Sequence, residues 1–449
     1  MKLRMPPGPK GEFIFGCLRQ NRKPLELYTN AFQAHGDMVK LPSMFGFHWY
    51  MFANPAAIEH VLQKNQLNYR KPDSVVNNFS LLSGQGLFVS DGQSWLNHRR
   101  LMQPAFHRQE LSHLSSLIAN CAGEMLSQWH EIGDNVIDIS AEMMRLAVKI
   151  VGLSLFSQDI SDQASTIGGA LRVGAAYVSD KLNSPFSYWL PNAGTKQFEQ
   201  ARDELDRVVF AIINSRRGKA NEAGQDLLSM LLNAQDADTG EFMSDKQLRD
   251  EVMTLLLAGH DTVGAALTWT FYLLSQNPDK RAILEDELRS VLGGRLPEVS
   301  DLSCLPYTRM VFEEAMRLYP PAWGQARQAK DDDEVYGYLI PKNEIIVTCQ
   351  YVAHRHPEFW TSPETFEPER FTADACAQRP KFAYFPFGGG SRMCIGNNFS
   401  MMEGQLVVAA LAQHFRVDVL PGQQIELDTA VTLRPKQAIK ARLRALCRV

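Results

Sequence analysis

The sequence has no CxxC pair, no excess of either charge, no charge-free apolar run of membrane-spanning length, and no glycine-rich nucleotide or flavin fingerprint. Each absence excludes a class. The seven cysteines, at positions 17, 121, 304, 349, 376, 394 and 447, are scattered and odd in number. That rules against a zinc module or a disulfide framework and fits a reducing compartment. A net charge of -4 argues against a nucleic-acid partner, which requires a basic surface. Near the N-terminus the run FIFGCL is too short for a secretory signal or a bilayer span. The expectation is a soluble, cytoplasmic protein with no membrane span. Any redox chemistry must draw its electrons from another protein.

What is present suits a large packed core, with 45% apolar and 21% charged residues. Strand-like stretches fall mainly within 36–54, 325–350 and 416–443, and the remainder reads as helical. SVVNNFSLLSGQGLFVSDG has no clean period and three glycines, so it reads as a loop. The longest helical signal starts at a Ser244-x-x-Gln247 capping pattern and stops at Asn277-Pro278. Its middle is apolar on every side and must be buried. Within it Ala258-Gly259-His260-Asp261-Thr262 breaks the pattern, because glycine costs a helix about 1 kcal/mol and a buried carboxylate needs a partner. Such violations mark functional sites.

One further stretch is dense in chemistry. Phe387, Gly390, Arg392, Cys394 and Gly396 fit FxxGxRxCxG, placing one cysteine after a glycine-rich bend and before a helix. Amide N–H groups at a helix start favour thiolate over thiol, and a fixed thiolate is a good iron ligand. This stretch resembles the heme-binding loop of the cytochrome P450 monooxygenases. The remaining motifs follow in that family's order, so the chain is identified as resembling a soluble bacterial-type member along its length.

The resemblance implies a mainly α fold with small β-sheets, a triangular helical heme-thiolate architecture forming one domain over 1–449. It implies heme b with Cys394 as the proximal metal ligand, and Phe387, Arg392 and Gly396 around it. Trp95, Arg99 and Arg327 would join Arg392 in binding heme carboxylates. Thr262 and Asp261 would handle oxygen-bound water and protons, in a helix locally unwound at that point. Glu314, Arg317 and Arg370 would close a structural network behind the heme loop. Phe79, Leu82, Phe88, Ala258, Ala322, Trp323, Thr432 and Leu433 would line the substrate pocket. Segment 167–194 would form a mobile lid, and Arg100, His107 and Arg108 a basic docking face. Departures from the family pattern, at Ser391, Ser400 and His356, remove no ligand or donor.

The implied reaction inserts one atom of O2 into a C–H bond of a hydrophobic substrate, fatty acids first and terpenoids or steroids second. A ferredoxin or flavodoxin with an NAD(P)H-dependent reductase would supply electrons. The alternatives are a peroxide-dependent heme peroxygenase and a non-catalytic heme-binding sensor. Retention of Asp261 and Thr262 disfavours the first, which has no use for a proton relay.

Overall fold

The computed structural model describes residues 4–9, 23–41, 48–106, 113–183, 194–217, 226–233, 240 and 242–446. Its principal helices are α1 (Pro24–His35), α2 (Pro55–Glu59), α3 (Asp73–Ser83), α4 (Gly92–Met102), α5 (Leu114–Ile132) and α6 (Ile139–Phe156). These continue with α7 (Ala164–Asn183), α8 (Thr195–Arg217), α9 (Leu227–Asn233), α10 (Asp245–Gln276), α11 (Pro278–Leu292), α12 (Pro306–Leu318) and α13 (Asn397–Ala412).

The strands are short: β1 (Met38–Lys40), β2 (Trp49–Phe52), β3 (Tyr69–Arg70), β4 (Val136–Asp138), β5 (Gln325–Ala329) and β6 (Asp333–Val335). They continue with β7 (Tyr338–Ile340), β8 (Ile345–Thr348), β9 (Phe415–Val419), β10 (Leu427–Asp428), β11 (Arg434–Pro435) and β12 (Lys440–Ala445). The largest sheet has the order β1-β2-β8-β5-β3, with β4-β12-β9 as a second and the ribbons β6-β7 and β10-β11 beside them. The expected hairpin near residue 50 is the antiparallel β1-β2 pair, Met38 facing Phe52. β2 then runs parallel to β8, joining the N-terminal segment to the chain that follows α12.

Helix α10 is buried over most of its length. Ser244 caps it by accepting from the Gln247 amide at 3.2 Å, so half of the capping box forms. The Gln247 side chain turns to His98 of α4 instead. α10 packs closely along α6 at both Gly259 and Gly264. A Cβ at Gly264 would lie 2.7 Å from Met144, and one at Gly259 would lie 2.9 Å from Val151. The glycine that breaks the helical pattern is thus explained partly by packing. Contrary to expectation, α10 is unbroken through Ala258–Thr262.

The other correction concerns the segment expected to be a loop. Residues 73–83 form α3, begun by Asp73 after an extended Pro72 and closed by Gly84 at a φ of 68°. Only Asn78, Leu82 and Ser83 of this helix are buried, so its weak period reflects a mostly solvated element. Two apolar cores result. The larger surrounds α5, α6, α10 and α13, and the smaller fills the space between the main sheet, α1 and α2.

Gly404 of α13 lies against the Phe312 ring of α12, and a Cβ there would meet ring atoms at 2.2 Å. Gly168 in α7 has nothing within 4 Å of the same position. Gly→Ala in a helix normally gains about 1 kcal/mol. Gly168→Ala should raise the melting temperature accordingly, while Gly404→Ala should lower stability by about 1–3 kcal/mol through overpacking. Thermal unfolding of both variants checks this, and stabilisation by Gly404→Ala would contradict the packing.

Candidate active site

The loop before α13 is held by its own backbone. The Cys394 amide donates to the Phe387 carbonyl at 2.9 Å and the Met393 amide to Gly390 at 3.2 Å. Gly390 has a φ of 67°, and a Cβ there would fall 1.8 Å from the Leu62 carbonyl oxygen. Only glycine meets both conditions. Gln66 adds an anchor by accepting from the Ser391 amide at 2.8 Å.

Cys394 is accessible at its surface, yet protein around it pushes the thiol pKa up through burial. A residue with both properties lies on the floor of a recess. The Gly396 amide and the Arg99 guanidinium pull the pKa back down, in that order. The helix-start effect read from the sequence is therefore present but outweighed by desolvation. Coordination of a cation would reverse that balance, since a coordinated thiol is deprotonated outright.

Cations gather beside this loop. The Arg392 guanidinium lies 4.5 Å from the Trp95 ring centroid and pairs with Asp91, while its Nη1 is buried without a partner among the described residues. Arg327 forms no ion pair among the described residues; it donates only to the Ala326 carbonyl and to Gln325 Oε1. Burial first, then Arg392, lowers its pKa to about 10. Lys71 completes the group, donating to the carbonyls of Leu87, Phe88 and Ser90. Arg99 points elsewhere, to the Met393 carbonyl at 2.9 Å. Three cations facing one carboxylate, with an orphaned guanidinium N–H, are a donor set short of anions. They fit the two carboxylates of a heme above an accessible thiol. Lys71 was missed in the sequence because an isolated lysine before an aspartate carries no motif.

On α10 the accessible positions are few. Ala258 is exposed, and Leu257, Gly259, Asp261 and Thr262 are partly exposed. Thr262 Oγ1 donates to the Ala258 carbonyl at 2.7 Å. Its one donor is thereby used, leaving two lone pairs toward the recess. Asp261 Oδ1 accepts from Arg434 Nη1 at 3.1 Å. His260 is buried with Nδ1 against the Leu256 carbonyl, and burial lowers its pKa.

The segment after α3 is fastened to α10 by carboxylates. Asp250 accepts from the Gln85 amide at 2.8 Å and Glu251 from the Leu87 amide at 3.0 Å. Glu251 also lies 2.7 Å from His98 Nδ1 of α4. These residues too escaped the sequence reading, since their partners are backbone groups distant in the chain. The segment carries Phe88, whose ring meets Phe79 edge-on at 5.2 Å, and Leu82 is wedged at Gly174 of α7. Thr432 and Leu433 are buried in the turn before β11. Ala322 is exposed. Trp323 departs from the expected pocket wall: its ring packs near Tyr28, 6.0 Å between centroids, as part of the smaller core. Lid residues 184–193 and His107 and Arg108 lie outside the described residues.

Behind the loop, Arg317 is fully buried and makes a two-pronged contact with Glu314 at 2.7 and 2.8 Å. Its remaining N–H groups go to the carbonyls of His354, Pro363 and Thr365. Arg370 lies 3.4 Å from Glu314. Removing one member of such a pair strands a buried charge at a cost of about 3–5 kcal/mol.

A helical fold with an accessible thiol on a glycine loop, beside cations short of anions, defines a heme-thiolate oxidoreductase. The sequence profile of cytochrome P450 matches residues 6–441. Cyclooctatin synthase of Streptomyces melanosporofaciens is 34% identical over 95% of this chain and 91% of its own. Pentalenene oxygenase of Streptomyces avermitilis is 30% identical over 94% and 93%. The crystal structure of a cytochrome P450 heme domain superposes with a TM-score of 0.90 at 25% identity, covering 100% of this chain and 99% of that one. The chain belongs to the cytochrome P450 family. It is a heme-dependent monooxygenase with cysteine-thiolate iron ligation, acting with O2 on a hydrophobic substrate. Among the described residues, no helix is long and apolar enough to cross a membrane.

Burial, then Arg392 and Arg327, lowers the Lys71 pKa to about 7, against about 10.4 for an unfolded lysine. Between these values the unfolded chain binds a proton that the folded one does not, so folding is penalised as pH falls. The heme-free protein should therefore gain stability from pH 7 to 10. Lys71→Met should flatten the rise, and heme binding should too, because added carboxylates favour the cation. Thermal unfolding of heme-free, heme-loaded and Lys71→Met protein measures this; an unchanged rise in the variant would contradict it.

Proposed function

We propose that the enzyme hydroxylates a terpenoid hydrocarbon skeleton, with Cys394 as the thiolate ligand and Lys71, Arg327 and Arg392 as the main carboxylate partners of the heme. The observation that carries the substrate class is the identity, over nearly the whole chain, to relatives named for oxidising terpenoids. The fatty-acid-first ordering gives way for a second reason. A fatty acid needs a cationic anchor, and neither cation of α7 is presented as one. Lys181 Nζ lies 5.6 Å from the Tyr177 ring centroid, and Arg172 is exposed. An apolar wall built from Phe79, Leu82, Phe88, Ala258 and Leu433 suits a carbon skeleton held by shape.

Bound heme would supply the redox centre at which dioxygen is activated, made electron-rich by the Cys394 thiolate. The chain's own residues do the rest. Thr262, its donor committed to Ala258, accepts a hydrogen bond from water or a protonated oxygen in the recess. Asp261, one residue earlier, brings protons inward from solvent. The wall holds the substrate C–H near the reacting centre and keeps bulk water out. Electrons come from a ferredoxin or flavodoxin with its NAD(P)H-dependent reductase.

Two experiments check this. In ferric heme-loaded protein, polycyclic terpenoids should produce the low-spin to high-spin shift at lower concentration than long-chain fatty acids; the reverse order would overturn the substrate class. Thr262→Ala should cut product formed per electron pair by roughly tenfold or more, with hydrogen peroxide accounting for the difference. Unchanged coupling would remove Thr262 from the proton pathway.

A further inference from the structure

The turn that carries Thr432 and Leu433 is fastened to the catalytic helix by the next residue, Arg434. Its guanidinium stands between two carboxylates. Nη1 donates to Asp261 Oδ1 at 3.1 Å, and Nε donates to Asp428 Oδ2 at 3.1 Å. Asp428 faces Arg434 directly across the β10-β11 ribbon, and its other oxygen accepts from the Ala430 amide at 3.0 Å. The Arg434 and Asp261 side chains are 15% and 16% exposed, so solvent screens their contact only in part.

Two further bonds fix the same turn. Trp269, two helical turns beyond Asp261, donates its Nε1–H to the Leu433 carbonyl at 3.0 Å, and its ring is stacked on Tyr319 at 4.1 Å. The Leu433 amide donates to the Pro321 carbonyl at 2.9 Å. The turn is therefore pinned at Leu433, and the adjoining strand presents the guanidinium to Asp261. Arginine donates in a rigid fork and cannot pass a proton on. Its hold on Oδ1 fixes how the Asp261 carboxylate faces and leaves Oδ2 to take up and release protons, and Asp428 supplies a second anion on which the arginine can rest.

We propose that Arg434 is a positioning residue that couples the turn at Thr432–Leu433, read from the sequence as part of the pocket wall, to the Asp261 carboxylate. With Leu433 fixed, a substrate that shifts the neighbouring residues of the turn changes how Arg434 holds Asp261, so proton delivery answers to an occupied pocket. This rests on the reading of Asp261 as a proton carrier.

Thermodynamic reciprocity supplies the test. If substrate changes the Asp261–Arg434 contact, removing either partner must change substrate affinity. The proteins needed are the heme-loaded wild type, Asp261→Asn, Arg434→Gln and the double variant, with Arg434→Lys retained in case Arg434→Gln fails to fold. The probe is whichever terpenoid gives the spin shift. In ferric protein, Asp261→Asn should change its dissociation constant by about threefold or more, and by less than about 1.5-fold when Arg434 is already glutamine. Coupling of electrons to product should fall in Arg434→Gln, and fall no further when it is added to Asp261→Asn. Arg434→Lys, which keeps the charge but loses the fork, should fall between. Independent, multiplying effects on both readouts would overturn the proposal. A normal product yield in Asp261→Asn would instead remove the proton role of Asp261; in that case the affinity cycle alone decides whether Arg434 links the turn to the helix.

Discussion

The structure depends on holding one sulfur still where a large flat cofactor must sit above it. The chain does this with backbone groups: the Cys394 amide is tied to the Phe387 carbonyl, and Gly390 passes against the Leu62 carbonyl where no side chain fits. The loop is rigid because its carbonyls and amides are satisfied locally, and the fully buried Glu314–Arg317 pair reaches the chain just before it through His354, whose carbonyl accepts from Arg317 and whose Nε2 accepts from the Phe385 amide. Such a pair contributes little net stability compared with apolar packing, but breaking it is costly. It acts as a registry device, holding the stretch around Pro363–Glu367 against α12.

The site can be described as two unfilled electrostatic demands. The thiol is raised in pKa by burial and needs a cation to become a thiolate. The group of Lys71, Arg327 and Arg392 is lowered or left partly unpaired and needs anions. A ferric heme carrying two carboxylates meets both demands at once. That complementarity explains how the fold tolerates clustered buried cations.

Legibility in the sequence followed the locality of the interactions. The heme loop, the long helix and the ExxR pair could be read because each encodes its role within about ten residues, as a turn, a cap or a shared helix face. Lys71, Asp250, Glu251 and Arg434 could not, because each acts on backbone or side chains far away in the chain. Two local readings failed for physical reasons. Residues 73–83 looked like a loop because a mostly exposed helix has little apolar period. The unwinding near Gly259 that the family resemblance implied is absent, and the close approach of Val151 accounts for the glycine. Trp323, placed in the pocket from its motif, turned to Tyr28 because the smaller core offers it an aromatic partner.

The central claim is that iron is bound by the sulfur of Cys394. Its most direct test is the absorption spectrum of the reduced carbon monoxide complex, compared between wild type and Cys394→His. The account predicts the strongly red-shifted Soret band of a thiolate complex for the wild type and its loss in the variant. A globin-like carbonyl spectrum in the wild type, or one unchanged by the substitution, would contradict it.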